Sequence, residues 1–216
     1  MQRLLGDTIT LGDRDWQMLT LLPGWTRGHV ATHLAHHGEA LAEMALQLTT
    51  DSPVTWRTRL TDAELNAGAR RSALGLQEAL DQSSARLMSA FDLMDDAAWK
   101  RTIETAQGPL PAGALVVARL NEVIIHHIDL RLGLDFADLD PRLTRPLLQW
   151  NLFRSAPRFA QVDLTLISDE GFTARVGSGA AVTIRGSESR ILGWLTGRRG
   201  ASAVLGAEDL DLNGPL

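Results

Sequence analysis

The chain has 216 residues, enough for one large or two small domains, and its 44% hydrophobic and 22% charged content is typical of a globular protein. A net charge of −5 argues against nucleic acid as a partner, and the absence of cysteine excludes disulfides, cysteine metal ligands and a protein thiol nucleophile. No stretch resembles a membrane span or a signal peptide, so we expect a cytoplasmic protein that does not bind membranes.

Four helices are predicted in the first part of the chain from the spacing of apolar residues. Thr26, after the Pro23-Gly24 turn, is a plausible N-cap for the first, and Gly133 is a plausible end of the third. The predicted helices cover residues 26–48, 62–94, 112–132 and 141–154. Because only 22 residues precede Pro23, we expect the first bundle helix to be truncated, or its packing partner to come from another subunit.

Beyond Pro157 the apolar residues alternate, which predicts short strands separated by glycine-rich turns. A helix with Ser187 or Ser189 near its cap should follow, and then a closing strand or tail at 208–214. The predicted strands are QVDLTLIS, FTARVG and AVTIRGS. The predicted fold is therefore α followed by α+β: a four-helix bundle over residues 1–155 and a small α+β domain over 156–216.

All six histidines fall in two segments, GWTRGHVATHLAHHGEAL and NEVIIHHIDL. Glu122 and His126 are four residues apart, as are His29 and His33, so each pair shares one face of its helix. Helical bundles bind metals with acid and imidazole ligands from facing helices. One upstream histidine with Glu122 and His126 would form a His₂Glu set for Zn²⁺ or a similar ion, with a position open for catalysis. The spacing alone does not choose between His29 and His33.

An isolated pair of an acid and a histidine at this spacing lies more often on a solvated helix face than in a metal site. Here Val123, Ile124, Ile125 and Ile128 surround the pair, so a charged Glu122 is costly unless it is paired or bound to metal. The sequence therefore favours a buried metal site.

Several neighbours have two open interpretations. Asp129 is either a hydrogen-bond acceptor that orients His126 or a surface acid. Arg119, one turn before Glu122, either holds an anionic substrate group or forms a surface ion pair. The remaining histidines are predicted to lie outside the site: His127 is rotated by about 100° from His126, His36 and His37 face solvent, and His29 caps or packs.

The motifs LLPGWTRGHVATHLAHHGEAL, ELNAGA, TAQG, NEVIIHHIDL and GWLTGRRG, in this order, resemble the mycothiol-dependent maleylpyruvate isomerase family. That resemblance implies a DinB-like metal-binding helical bundle followed by a sterol-carrier-like α+β domain. It implies a metal bound by His33, Glu122 and His126, and an active-site arginine that corresponds to Arg198, with Arg199 beside it. At a helix end, the two arginines could otherwise simply complement the helix dipole.

The resemblance also implies an activity. A divalent metal and the small thiol mycothiol would isomerise maleylpyruvate to fumarylpyruvate through thiolate addition, bond rotation and elimination. Two departures leave the substrate open, because Asn121 and Pro109 stand where the family usually has arginine. The alternatives are a thiol S-transferase or metal-assisted hydrolase on the same scaffold, and a non-enzymatic protein that binds an apolar ligand.

Overall fold

The structure is a computed structural model that describes residues 1–50, 52–208 and 210. It divides into two compact units, Met1–Gly133 and Leu134–Leu216. Among the described residues, no helix is both long enough and apolar enough to cross a bilayer. The prediction for 208–214 falls mostly outside the described residues, of which only 208 and 210 belong to that segment.

The first unit is helical. Its helices are α1 Gln2–Thr8, α2 Asp13–Trp16, α3 Arg27–Leu48, α4 Asp62–Gly68, α5 Ala73–Asp92, α6 Asp96–Trp99 and α7 Ala114–Asp129. A two-stranded antiparallel ribbon, β1 Thr102–Ile103 and β2 Leu110–Pro111, precedes α7. The long helices α3 and α7 confirm the predicted helices at 26–48 and 112–132, although α7 is shorter at both ends.

The predicted helix at 62–94 is wrong as a single element, because it consists of α4 and α5 with a break between them. The Ser72 side chain accepts a hydrogen bond from Gly75 N and begins α5 as its N-cap. Helix α4 ends close against α3, where a Cβ added at Gly68 would lie 2.2 Å from Cγ2 of Thr32. The chain turns between these two helices, and α5 packs along α3.

Apolar side chains of α3, α5 and α7 form the core around which the site is built. One cluster includes Val30, Leu34, Leu80 and Val123, together with Leu4 from the short helix α1. A second cluster, nearer the end of α3, includes residues such as Leu41, Leu48, Leu87 and Leu115. The segment before Pro23 contributes the short helix α1, which has seven residues and packs on α5 within the same chain.

The second unit contains α8 Pro141–Ser155, the strands β3 Val162–Ser168, β4 Thr173–Val176 and β5 Ala180–Gly186, and α9 Glu188–Leu195. Short 3₁₀ turns lie at Phe136–Asp138, Ala156–Phe159 and Ala201–Ala203. The strand order is β4-β3-β5; β3 is antiparallel to β4 and parallel to β5, with Leu166 opposite Ile184. The three predicted strands and the helix capped by Ser187 are therefore confirmed.

Helix α8 belongs to the second unit, so the predicted boundary at 155 is replaced by one after Gly133. The physical reason is its packing: α8 lies against α9, and Arg145 of α8 donates two hydrogen bonds to the Glu188 carboxylate at 2.7 and 2.5 Å. The helix predicted as the fourth of the bundle therefore belongs to the second unit, and the first unit contains the short helix α1 in addition to α3, α5 and α7.

Candidate metal centre

His29 takes part in the N-terminal cap of helix α3 and lies outside the ligand cluster. Its Nδ1 accepts a hydrogen bond from the backbone N–H of Thr26 at 3.1 Å and lies 2.8 Å from Thr26 Oγ1. Its Nε2 is 3.2 Å from Oδ1 of Asn66. This is a capping box with histidine at the third helical position, so both ring nitrogens of His29 already have partners.

The structure brings His33, Glu122 and His126 together between α3 and α7. One ligand atom from each residue lies within 4.8 Å of the others. Oε2 of Glu122 is 2.9 Å from Nε2 of His33 and 3.2 Å from Nε2 of His126. Glu122 and His126 are buried, and His33 is half-buried. Two imidazole nitrogens and a carboxylate oxygen that lie this close together could hold a divalent metal ion.

Asp129 holds the His126 ring from behind. Its Oδ2 is 2.8 Å from Nδ1 of His126, and the residue is 0% exposed. The surface-acid interpretation of Asp129 is therefore wrong. With Nδ1–H donating to this carboxylate, Nε2 of His126 is directed at the site, which is how histidine ligands are commonly oriented.

The charges of the two α7 residues are coupled. Burial alone would raise the pKa of Glu122, but hydrogen bonds from His126 and His33 outweigh it and hold the pKa well below its usual range. Burial would lower the pKa of His126, but the Asp129 and Glu122 carboxylates outweigh it and raise that pKa. When no cation binds, His126 thus favours the imidazolium form between two carboxylates.

His37 is buried, and the expectation that it faces solvent is wrong. Its exposed fraction is 4%, and burial lowers the pKa of its imidazole to about 3. Among the described residues, its Nδ1 has no hydrogen-bond partner. Burial also lowers the pKa of His33. Both side chains are therefore neutral at pH 7, and neutral imidazole is the form that binds metals.

Trp25 covers one side of the site and was missed by the sequence analysis. Its ring is nearly parallel to the His126 ring, at 12° and 6.4 Å, and edge-on to the His33 ring at 5.6 Å. It directly precedes the Thr26 cap, where an apolar residue commonly packs against the helix it introduces. The position of Trp25 directly before a helix cap was the sequence signal from which its packing on α3 could have been predicted.

Arg119 is enclosed rather than exposed, so the surface ion-pair interpretation is wrong. It is 8% exposed, and Nη1 donates to the Leu34 carbonyl at 2.7 Å. Its Nη2 has no hydrogen-bond partner among the described residues. Burial lowers the pKa of the guanidinium to about 10, so it remains charged at pH 7.

The other predicted residues lie outside this cluster. His127 faces α1, with Nε2 3.0 Å from Oδ2 of Asp7, as its rotation from His126 predicted. In the second unit, Arg198 is half-buried and donates to the Thr196 carbonyl at 2.6 Å, while Arg199 pairs with Asp135. A role for Arg198 in the site stays a prediction. Of the two departures, Asn121 is buried in α7 and Pro109 is exposed beside β2.

Residues 1–131 match the family model described as the mycothiol maleylpyruvate isomerase N-terminal domain. Two solved structures are similar in fold: the mycothiol-dependent maleylpyruvate isomerase and a histidine-to-alanine mutant of it. Each has a TM-score of 0.81 and 24% identity, over 94% of this chain and 86% of that chain. No curated protein matches the sequence significantly.

Proposed function

Because the chain belongs to the mycothiol maleylpyruvate isomerase family, we propose that it is a metal- and mycothiol-dependent cis-trans isomerase converting maleylpyruvate to fumarylpyruvate. The observation that carries this proposal is the buried convergence of His33, Glu122 and His126 inside the matched domain. The fold that the chain shares with solved isomerases supports it.

The residues fit a divalent cation. Two nitrogens and one oxygen lie within 4.8 Å of one another, and the Asp129 carboxylate orients the His126 ring. A His₂Glu set leaves a coordination position open and suits Zn²⁺, although related divalent ions accept the same ligands. When bound, such a cation supplies Lewis acidity and favours the thiolate form of a thiol.

The chain contains no cysteine, so the sulfur nucleophile must come from a small molecule. In the proposed reaction the thiolate forms a carbon–sulfur bond to the alkene carbon next to the carboxylate, and the displaced electron pair is held as the enolate of the ketone conjugated with the double bond. Rotation occurs about the resulting single bond. The enolate pair then restores the double bond in the trans form and expels the thiolate, so that no thiol is consumed.

The protein's own groups would assist at two points. Trp25 covers the imidazoles and excludes water from one side of the site, which strengthens electrostatic interactions there. Arg198 is the proposed partner for a substrate carboxylate or the developing enolate charge. Arg119 is enclosed by protein, so its proposed action on the substrate is through its charge and not by direct contact.

The test is an assay of metal-loaded protein with mycothiol and maleylpyruvate, with products separated by chromatography. We expect fumarylpyruvate to form only when both metal and thiol are present, and we expect H33A and E122A to lose this turnover. H36A is the matched control, because His36 is a half-exposed histidine on the same helix outside the ligand cluster. Stoichiometric metal without isomerisation would overturn the proposal, and accumulation of a thioether would support an S-transferase.

A further inference from the structure

The guanidinium of Arg119 occupies a space that three helices leave for it. Arg119 lies one turn before Glu122 on α7, so the two side chains share a face of that helix. A Cβ added at Gly38 of α3 would lie 3.2 Å from Nη2 of Arg119 and 3.2 Å from Oγ of Ser83 on α5. The missing side chain at Gly38 therefore makes room for the cation inside the bundle.

This buried cation has no countercharge in contact with it. Among the described residues, its hydrogen-bond acceptor is the neutral Leu34 carbonyl, and no carboxylate lies within ion-pair distance. Glu122 is the acid that acts on it through space. An unpaired guanidinium in a bundle core is costly, so its retention points to a task for the charge itself.

The charges of the proposed metal site suggest that task. A divalent cation with the Glu122 and Asp129 carboxylates and neutral histidines is electrically neutral. Arg119 adds one positive charge, and only a monoanion at the open position restores neutrality. We propose that Arg119 is a charge-setting residue: it selects an anionic ligand at the metal by charge, without touching the ligand, and weakens metal binding in doing so. The inference rests on the metal site of the proposed function.

Two affinities test the inference, and both are measured without turnover. The first is the Zn²⁺ dissociation constant, from competition with a chromophoric chelator. The second is the azide dissociation constant of Co²⁺-loaded protein at fixed pH, from the visible spectrum. In R119Q, which retains a donor for the Leu34 carbonyl, we expect Zn²⁺ to bind tighter and azide weaker, each on the order of tenfold. R119K should return both values toward wild type.

Because Zn²⁺ and azide binding should change in opposite directions, the experiment distinguishes an electrostatic role of Arg119 from a structural one. A merely structural Arg119 would loosen the site on substitution, and both ligands would bind more weakly. The matched control is R27M, because Arg27 is another buried arginine bonded to a carbonyl, with Nε 2.8 Å from Leu130 O. It should lower the thermal midpoint of unfolding and leave both dissociation constants unchanged. If R119Q does not fold, R119M replaces it and R119K still supplies the charged comparison.

The outcomes also separate this inference from the proposed function. Wild-type protein that binds no divalent ion overturns the proposed function and the inference with it. A wild-type protein that binds metal, with R119Q unchanged in both affinities or weakened in both, overturns the inference alone. Tighter metal and weaker azide in R119Q, restored by R119K, establish it.

Discussion

Asp129 and His126 form a buried pair, with Oδ2 2.8 Å from Nδ1, three residues apart on α7. The next residue of α7, His127, faces a different acid: its Nε2 lies 3.0 Å from Oδ2 of Asp7 in α1. Two neighbouring histidines thus each face a carboxylate, but only the ring of His126 directs its other nitrogen at Glu122.

Replacing Asp129 by asparagine should weaken Zn²⁺ binding by about 10-fold to 100-fold, because the His126 ring loses its orienting acceptor. Competition with a chelator measures this change. Asp7→Asn is the matched control, since it removes the carboxylate beside His127 and should leave the affinity for Zn²⁺ at the wild-type value. Equal losses in both variants would show that Asp129 has no special relation to the metal.

Metal binding should release one proton from His126. Its pKa is raised in the folded protein, whereas Glu122 is already ionised and the pKa of His33 is lowered. Below the raised pKa, the apparent metal affinity should fall about tenfold per pH unit as pH decreases, and above it the affinity should level off. Calorimetry in two buffers of different ionisation enthalpy counts the released protons, and a count of zero at pH 6 contradicts this prediction.

His37 should destabilise the metal-free protein in acid. Its folded-state pKa of about 3 lies below its unfolded value, so the unfolded chain binds a proton that the folded chain does not. The stability contributed by neutral His37 is present above about pH 6.5 and falls by about 1.4 kcal/mol per pH unit as pH decreases toward 3. The free energy of unfolding of His37→Leu, measured with urea at several pH values, should therefore fall by about 1.4 kcal/mol less per pH unit than that of the wild type as pH decreases.

Gly28 should be needed for the contact between α3 and the end of α4. A Cβ at this position would lie 2.6 Å from the Ala69 carbonyl oxygen, which belongs to the backbone and cannot rotate away. Gly28→Ala should therefore lower the free energy of unfolding by about 1 to 3 kcal/mol, despite the better helix propensity of alanine. Gly6→Ala in α1, with no atom within 4 Å of the new Cβ, should stabilise the protein by up to about 1 kcal/mol.

Arg198→Ala should lower kcat for isomerisation by about 10²-fold or more if it stabilises charge in the reaction, and it should leave the Zn²⁺ dissociation constant unchanged. Arg199→Ala is the neighbouring control, because Arg199 is exposed and paired with Asp135. Steady-state kinetics with a metal titration distinguish the two residues. A larger loss in Arg199→Ala would move the proposed role to that residue.

The metal-ligand cluster could be anticipated because its signal is local: a four-residue spacing within an apolar helix fixes which side chains share a face. The spacing could not decide whether His29 or His33 is the third ligand, because both histidines lie on the same face of α3. The Thr26 side chain and backbone decide it by taking His29 into the cap. The burial of Arg119 was also not predictable, because it depends on a missing side chain at Gly38 of another helix.

The helices were anticipated where apolar periodicity and a cap coincide, as in α3. The break between α4 and α5 was missed because apolar residues continue through it at nearly helical spacing, while Ser72 begins α5 as its N-cap. The place of α8 was missed for a similar reason. Periodicity identifies a helix but not its partner, and the bond between Arg145 and Glu188 joins residues 43 positions apart.

The cap at Thr26 also determines the rotational phase of everything that follows on α3. His33 lies seven residues beyond Thr26, and each added or deleted residue turns the downstream side chains by about 100°. A single insertion between these two positions would direct His33 away from Glu122 while leaving the composition of the helix nearly intact. The number of residues between Thr26 and His33 therefore determines whether His33 points toward Glu122, and natural variation must preserve that number.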